Sequence, residues 1–512
     1  MKKSGAFFLG IALLALFACA CQAAALEQVS AETLLVDDIA LTLNPNDITP
    51  LAAEAVFTTK VPTQVSITVL GEEPLTHAFD EVATEHRLPI FGLYPDAENS
   101  VEIRITEPGE RYAEKTLSVT TEPLPDVFPT IDIVAADETQ MEPGWTLSDF
   151  SAIDEGVYRP MPFFFDTDGA VRWYLDLTFL DGTTHLINRL ANGNLLFAEA
   201  GTVYEYDMLG REINRWEMPG YAFHHEIVEK PDGNFIIAVN KRSVETRDDH
   251  IIELDRASGD VVTEWDLRQI LDVSRTDLVD VENDWLHMNA FFYSEADDTL
   301  IISGRNQAVV KVTRGNELVW ILAPHKGWGK AGLEGDGYET SDFLLTATDT
   351  EGEPYSDAVQ QGTEAAEDFG WVWGQHAPLL LPNGNLFVFD NGLNRNFSKS
   401  EKYSRGVEYA IDETAMTVTQ VWQYGKERGA EFYSSIVSDV DYLPETGNRL
   451  IAPGIVRTSE PFYALVTEVT YPERDLVFEA KLRFPALPNA SPDDNFRKVN
   501  GIYRSERLPL YP

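Results

Sequence analysis

The chain reads as all-β: a six-bladed β-propeller preceded by a β-sandwich of immunoglobulin or fibronectin type. Three observations predict this. A histidine followed eight residues later by the glycine of a turn recurs at His185, His225 and His376, with turns at Gly193, Gly233 and Gly384. A strand carrying an aromatic recurs at Trp173, Trp216, Trp265, Trp320, Trp422 and Phe478, at spacings of 43, 49, 55, 102 and 56 residues. Ahead of both lies a Val-, Ile- and Thr-rich stretch that alternates as half-buried strands do. Equal phrases at a period of this size mark a repeat architecture.

Residues 1–24 read as a targeting segment. Lys2 and Lys3 supply the basic start, and Phe7–Phe17 is apolar but too short to cross a bilayer. Leu16–Cys19, L-F-A-C, resembles a bacterial lipobox and makes Cys19 a lipidation site, with Cys21 as second candidate. Simple cleavage near Ala20 or Ala23 is the alternative. The expected location is the periplasm or cell envelope, with attachment through an N-terminal lipid. The chain has 2 cysteines, both here, so the mature body is expected to hold neither a disulfide nor a cysteine nucleophile.

Residues 27–122 are the expected sandwich, with strands at Ala55–Thr59, Gln64–Leu70, Ser100–Thr106 and Lys115–Thr121. His77 and His86 have no motif around them and read as surface residues. Glu122–Thr130 contains three prolines and marks a boundary. The propeller then occupies residues 130–512. Its unit is a strand, an Asn-Gly-type turn, two strands and a final strand with Trp. Four antiparallel strands make a blade. Strands of the Val203–Asp207 kind precede the aromatic ones at His250–Asp255, Ala308–Thr313, Gly406–Asp412 and Ala464–Thr470. His287 opens a looser copy, and Ser438–Asn448 is an echo without histidine. The long gap holds an insertion, roughly Gly327–Gly370. The first unit, Phe163–Leu177, shows two strands only. A strand within Arg497–Leu508 is expected to pair into it and close the ring, leaving no open edge.

Net charge is −45, from 84 acidic and 39 basic residues. Such a surface repels nucleic acid and anionic lipid, and an anionic substrate would need a local basic pocket. The first strand of each blade lines the propeller axis. His185, His225, His287 and His376 are therefore expected to converge at one end of the central funnel. A core has no need of so many titratable groups. His224 should face away by strand alternation, and His250 and His325 lie outside the repeat. His287 and Asn289 are two apart, hence on one strand face, and Arg305 stands across the hairpin. An imidazole, an amide and a guanidinium together suit a tetrahedral anion.

The chain resembles the bacterial arylsulfate sulfotransferases of the ASST type over nearly the whole mature length. The likeness rests on D-W-L-H-M-N through I-S-G-R-N-Q, D-F-G-W-V-W-G-Q-H, F-D-N-G at Phe389–Gly392, K-Y-S-R with Q-Y-G-K-E-R-G-A-E-F-Y-S, and M-E-P-G-W at Met141–Trp145. The resemblance implies transfer of a sulfuryl group between phenols without a nucleotide donor, and without cofactor or metal. It implies that His376 is the nucleophile, passing through a sulfohistidine in a ping-pong reaction. His287, Asn289 and Arg305 match the rest of the motif, and His225 matches the remaining histidine, with His224 the less favoured choice. Some members carry a cysteine pair in the insertion; this chain does not.

On this reading His225 protonates the departing phenolate and later deprotonates the incoming phenol. Trp371, Trp373 and Tyr433 are candidates for stacking on phenol rings. The expected partners are small aryl sulfates and phenols, with the N-terminal lipid and a homodimer as further associations. Two rivals come from other classes. A metal-dependent oxygenase would use the axial histidines as ligands, although Arg305 would repel the cation. A non-catalytic envelope scaffold would tolerate replacement of His376.

Overall fold

The computed structural model describes residues 26–154, 157–180, 187–275, 278, 283–398, 402–457, 462–486 and 500–512. The targeting segment with both cysteines, and His185, lie outside these residues. No helix among those described is long and apolar enough to cross a membrane.

The N-terminal strands form one connected six-stranded sheet. The strands expected at Ala55–Thr59 and Gln64–Leu70 are a single strand, Ala53–Val69, whose register shifts between Thr58 and Val65 where it bends. Period-two alternation places Val65, Ile67 and Val69 inward, opposite Ile105, Ile103 and Val101. His86 is buried, not superficial. Its ring stacks on Phe57 at 4.8 Å and its Nε2 meets Thr63 Oγ1 at 3.0 Å. His77 stacks on Tyr511 at 4.0 Å, which helps dock this sheet on the propeller. Arg172 does the same from the other side, donating from Nε to Gly92 O at 2.9 Å and ion-pairing with Asp166 at 2.8 Å.

Six further sheets follow among the described residues, each with four strands and three of them with a fifth. Their inner strands stand side by side around an axis: Asn188–Arg189, Tyr221–Glu229, Met288–Ser294, His376–Leu380, Asp439–Tyr442 and Gly501–Leu508. The last of these pairs antiparallel with Trp145–Asp154, so the chain's final strand is the inner strand of the first propeller sheet. Trp145–Asp154 was not legible as a strand because polar side chains fill inward positions; Ser148 there meets Ser505 at 3.0 Å. Thr130–Ala136 adds to the outside of the last sheet, antiparallel to Leu476–Arg483. The insertion adds Thr346–Thr348 in parallel to Thr417–Thr419.

The tryptophan repeat has a physical cause. Each indole is buried in the outer strand of its sheet and donates to the next sheet around the ring. The acceptors are Met208 O for Trp173 (2.9 Å), Arg256 O for Trp216 (2.8 Å), Thr313 O for Trp265 (3.0 Å), Glu413 Oε1 for Trp320 (2.9 Å) and Pro472 O for Trp422 (3.2 Å). Ion pairs repeat the pattern. Glu205, Glu408 and Glu468 receive Arg256, Arg449 and Arg507 from the following sheet. Each such buried bond contributes about 1 kcal/mol net, and their removal would strand a buried polar group.

Candidate functional site

The inner strands enter the axis through β-bulges. Pairing registers break between Phe223 and Ile227, Met288 and Ala290, and His376 and Leu379. At the same places His225, His287 and Ala377 adopt left-handed backbone, with φ of 65°, 48° and 50°. Such conformations cost roughly 1 kcal/mol or more each and recur next to active sites. Here they cancel strand alternation. His224 does not face away: its ring lies 3.9 Å from that of His225 and 5.6 Å from that of His287, while His225 and His287 are 5.8 Å apart. His287 and Asn289 are likewise not related as neighbours on one strand face. His287 precedes its strand, and Asn289 falls in the bulge, fully buried.

His376 opens the Q-H strand and is 3% exposed. Its Nδ1 lies 2.7 Å from Asn391 Oδ1 and 3.2 Å from Gly374 O. The Asn391 amide nitrogen donates to two carbonyls, Ser434 O and Val437 O, both at 2.8 Å. Its oxygen must therefore face the imidazole, and the imidazole must donate from Nδ1. The lone pair is left on Nε2. Burial, then the charge of Arg305, push the His376 pKa down to about 3 against the opposing Asn391 bond. The ring is neutral at any ordinary pH.

The surrounding motif holds this arrangement. Gln375 O accepts from Asn289 Nδ2 at 2.7 Å and from Ser303 Oγ at 3.0 Å, while Gln375 Nε2 donates to Gly304 O at 3.0 Å. The segment before His376 is thus braced on the neighbouring sheet. Asp390, fully buried, takes Arg395 at 2.8 Å and Arg405 at 2.9 Å and accepts the backbone N–H of Trp373. Gly392 follows at φ 77°, where a Cβ would sit 2.2 Å from Tyr403 O. D-N-G is therefore a carboxylate clamp, a tautomer lock and an obligatory glycine in succession.

Arg305 leaves its strand with its backbone N–H on His287 O at 3.0 Å. Among the described residues its Nε finds no hydrogen-bond partner, and burial lowers its pKa. His287 Nδ1 lies 3.0 Å from Asp284 Oδ2, and Asp248 Oδ2 is 3.5 Å from the same nitrogen and 3.2 Å from His224 Nε2. Tyr503, from the closing strand, stacks on His225 at 4.9 Å, stands 5.9 Å from His376 and donates its hydroxyl to Asn289 O at 2.7 Å. Below this layer the axis widens into a cavity of about 200 Å³ lined by Glu226, Asp439, Asp441 and Arg504.

The structure therefore brings His224, His225, His287, Arg305 and His376 together around Tyr503. Other expected residues serve differently. The amide nitrogen of Asn289 is committed to Gln375 O, so it acts as a strut; its Oδ1 has no partner among the described residues. Trp371 and Trp373 are 2% and 1% exposed in an apolar cluster and offer no face to a ligand. Tyr433 is half-buried and precedes Ser434, so it meets the Asn391 network at one remove. His250 is fully buried against Asp249 at 2.6 Å, and His325 bonds Leu345 O at 2.9 Å; both are structural. Sequence reasoning gave no role to Asn391, Asp284, Asp248 or Tyr503. Asp284 stands three residues before His287 in a quoted motif, which was the available signal.

Chemically, a neutral, oriented imidazole with a free Nε2 beside an under-partnered guanidinium suits attack on an anionic centre. Ring nitrogens of His224, His225 and His287 come within 4.8 Å of one another. Ligand atoms of Asp248, Asp284 and His287 gather equally closely, and the Arg305 guanidinium brings positive charge to the His376 side of the cup, which suits an anion there.

Comparison with known proteins agrees. Residues 130–488 match the family described as Arylsulfotransferase (ASST), and residues 40–122 match the Arylsulfotransferase Ig-like domain. The chain is similar to the arylsulfate sulfotransferase AssT of Escherichia coli O6:H1, 32% identical over 382 residues, spanning 62% of each chain. It is similar to the AssT of Lelliottia amnigena, 29% identical over 544 residues, spanning 86% of this chain and 89% of that one. The first match thus spans less than two thirds of the relative's length. Among solved structures, the Dos1 propeller is similar with a TM-score of 0.32 and 7% identity, covering 88% of this chain and 92% of that one.

Proposed function

Because the chain belongs to the arylsulfotransferase family, we propose that it moves a sulfuryl group from an aryl sulfate to a phenol by a ping-pong route through His376. The observation that carries this reading is the tautomer lock. Asn391 holds Nδ1–H and leaves the Nε2 lone pair free. Attack by Nε2 on sulfur forms the N–S bond as the S–O bond to the ring breaks, and the electron pair departs on the phenolate oxygen. The imidazole then carries a positive charge while Nδ1 keeps its hydrogen. An amide behind it does not neutralise that charge, as a carboxylate would. The sulfuryl group therefore stays easy to hand on.

Arg305 supplies the fixed positive charge for the three sulfuryl oxygens, and preorganised donors of this kind are each worth roughly 3–4 kcal/mol. His225, His287 and Tyr503 wall the cup. The basic start and apolar run of residues 1–24, with L-F-A-C, support export to the cell envelope and lipidation at Cys19; metabolic labelling with palmitate and a Cys19→Ser variant test that part.

The decisive measurement is intact mass after incubation with 4-nitrophenyl sulfate alone. A gain of one SO₃, located at His376 and lost on adding phenol, is the expected result. Rapid hydrolysis or transfer with no adduct in quenched samples would remove the covalent route.

A further inference from the structure

The ping-pong reading leaves one proton to be accounted for. The first phenolate must gain a proton on release, and the second phenol must lose one on attack. The group that moves it has to reach the oxygen, keep a fixed orientation and change charge without collapsing the cup.

His287 is built for this. Its Nδ1 is 3.0 and 3.1 Å from the two oxygens of Asp284, so the ring donates backward and turns Nε2 away from the carboxylate. The Asp284 side chain is itself held by Arg247 at 3.5 Å. Asp248, 2% exposed, stands behind with its Oδ2 on both His287 and His224, and its backbone N–H donates to Asn240 Oδ1 at 2.7 Å. The backbone is left-handed at both His287 and Asp248, with φ of 48° and 59°.

We propose that His287 is the acid–base residue of the transfer and that Asp284, backed by Asp248, is its positioning residue. This rests on the sulfuryl-transfer reading above and moves to His287 the proton duty expected of His225 from the sequence. In the first half-reaction the imidazolium of His287 gives its Nε2 proton to the departing phenolate oxygen and becomes neutral. In the second, the incoming phenol passes its proton to His287 Nε2 as its oxygen forms the new S–O bond, and the N–S electron pair returns to His376. Proton and charge are restored over the cycle.

The carboxylates suit the role. Burial raises the Asp284 pKa, but the hydrogen bond and charge of His287, with Arg247, hold it below the ordinary value. Burial, then Asp284, push Asp248 up to about 8. The lowered Asp284 carboxylate thus stays the charged partner that orients the His287 ring, with Asp248 behind it.

The test uses the full chain and two donors. 4-Nitrophenolate is a weak base and leaves unaided, whereas unsubstituted phenolate needs its proton. Asp284→Asn and His287→Gln are each expected to slow sulfurylation by phenyl sulfate about 100-fold or more, and by 4-nitrophenyl sulfate less than about 10-fold. The ratio within one variant is independent of the folded fraction. Equal losses on both donors, or no loss with phenyl sulfate, overturn the assignment. An SO₃ adduct on the unsubstituted protein with equal losses overturns this inference alone. Failure to form the adduct at all overturns the sulfuryl-transfer reading and this inference together.

Discussion

Two histidines face one cup and are backed by opposite chemistry. Behind His376 stands the amide of Asn391; behind His287 stands the carboxylate of Asp284. The amide fixes orientation without offering charge, and burial with Arg305 keeps the ring neutral and nucleophilic. The carboxylate fixes orientation and stabilises a proton. One residue type, oriented in the same way, is directed to two duties by the group behind Nδ1.

Breaking the nucleophilic side should cost most. His376→Asn is expected to lower transfer from 4-nitrophenyl sulfate to phenol by about 10⁴-fold or more, the scale seen when a nucleophile is removed, with an unchanged far-ultraviolet dichroism spectrum. Substantial turnover would end the assignment. Arg305→Ala removes the shared charge and should cost about 10²- to 10³-fold in kcat. Arg305→Lys should recover only part of it, because a point charge does not replace the guanidinium fork.

Exchanging the backing groups sharpens the contrast. In the unsubstituted protein burial and Arg305 push the His376 pKa down to about 3, so the ring is neutral from pH 5 to 8 and contributes no acid limb to the rate. Asn391→Asp places a carboxylate on Nδ1 and favours the imidazolium. The folded-state pKa rises, and the nucleophile is lost as pH falls through the new value. Sulfurylation should drop about 10- to 100-fold near pH 6 and recover toward pH 8. A pH-independent loss would show that only packing was disturbed. The smallest effect is expected for Tyr503→Phe, which deletes the hydrogen bond to Asn289 O. A loss of about 1 kcal/mol, less than 10-fold in rate, is expected in steady-state assays.

The frame of this site was legible in the sequence and its joints were not. Repetition exposed the inner strands through the His-to-Gly phrase and the outer ones through Trp173 to Phe478, because equal places in equal sheets need equal residues. The chain's final strand was legible as the closing one for the same reason: an open edge needs a partner. Three bulges were hidden. Nothing in F-H-H-E or L-H-M-N shows that alternation fails there, since left-handed backbone at a histidine is imposed by the packed ring and not by the residue. That is why His224 was expected to face outward and Asn289 to offer a free amide. Asn391 and Asp284 sat in quoted motifs, but their parts depend on which atom meets which. His86 and Trp373 show the reverse failure, where burial by a distant element decides a role that local pattern leaves open.

Tyr503 comes from the last strand, yet it touches His225 and stands beside His376. The same strand zips to Trp145–Asp154 at the far end of the propeller sequence. Five of the six propeller sheets have all their strands without it. The reactive imidazole is therefore walled in only with the closing strand in place, and a chain shortened before residue 501 would keep every other side chain of the cup and lack its keystone.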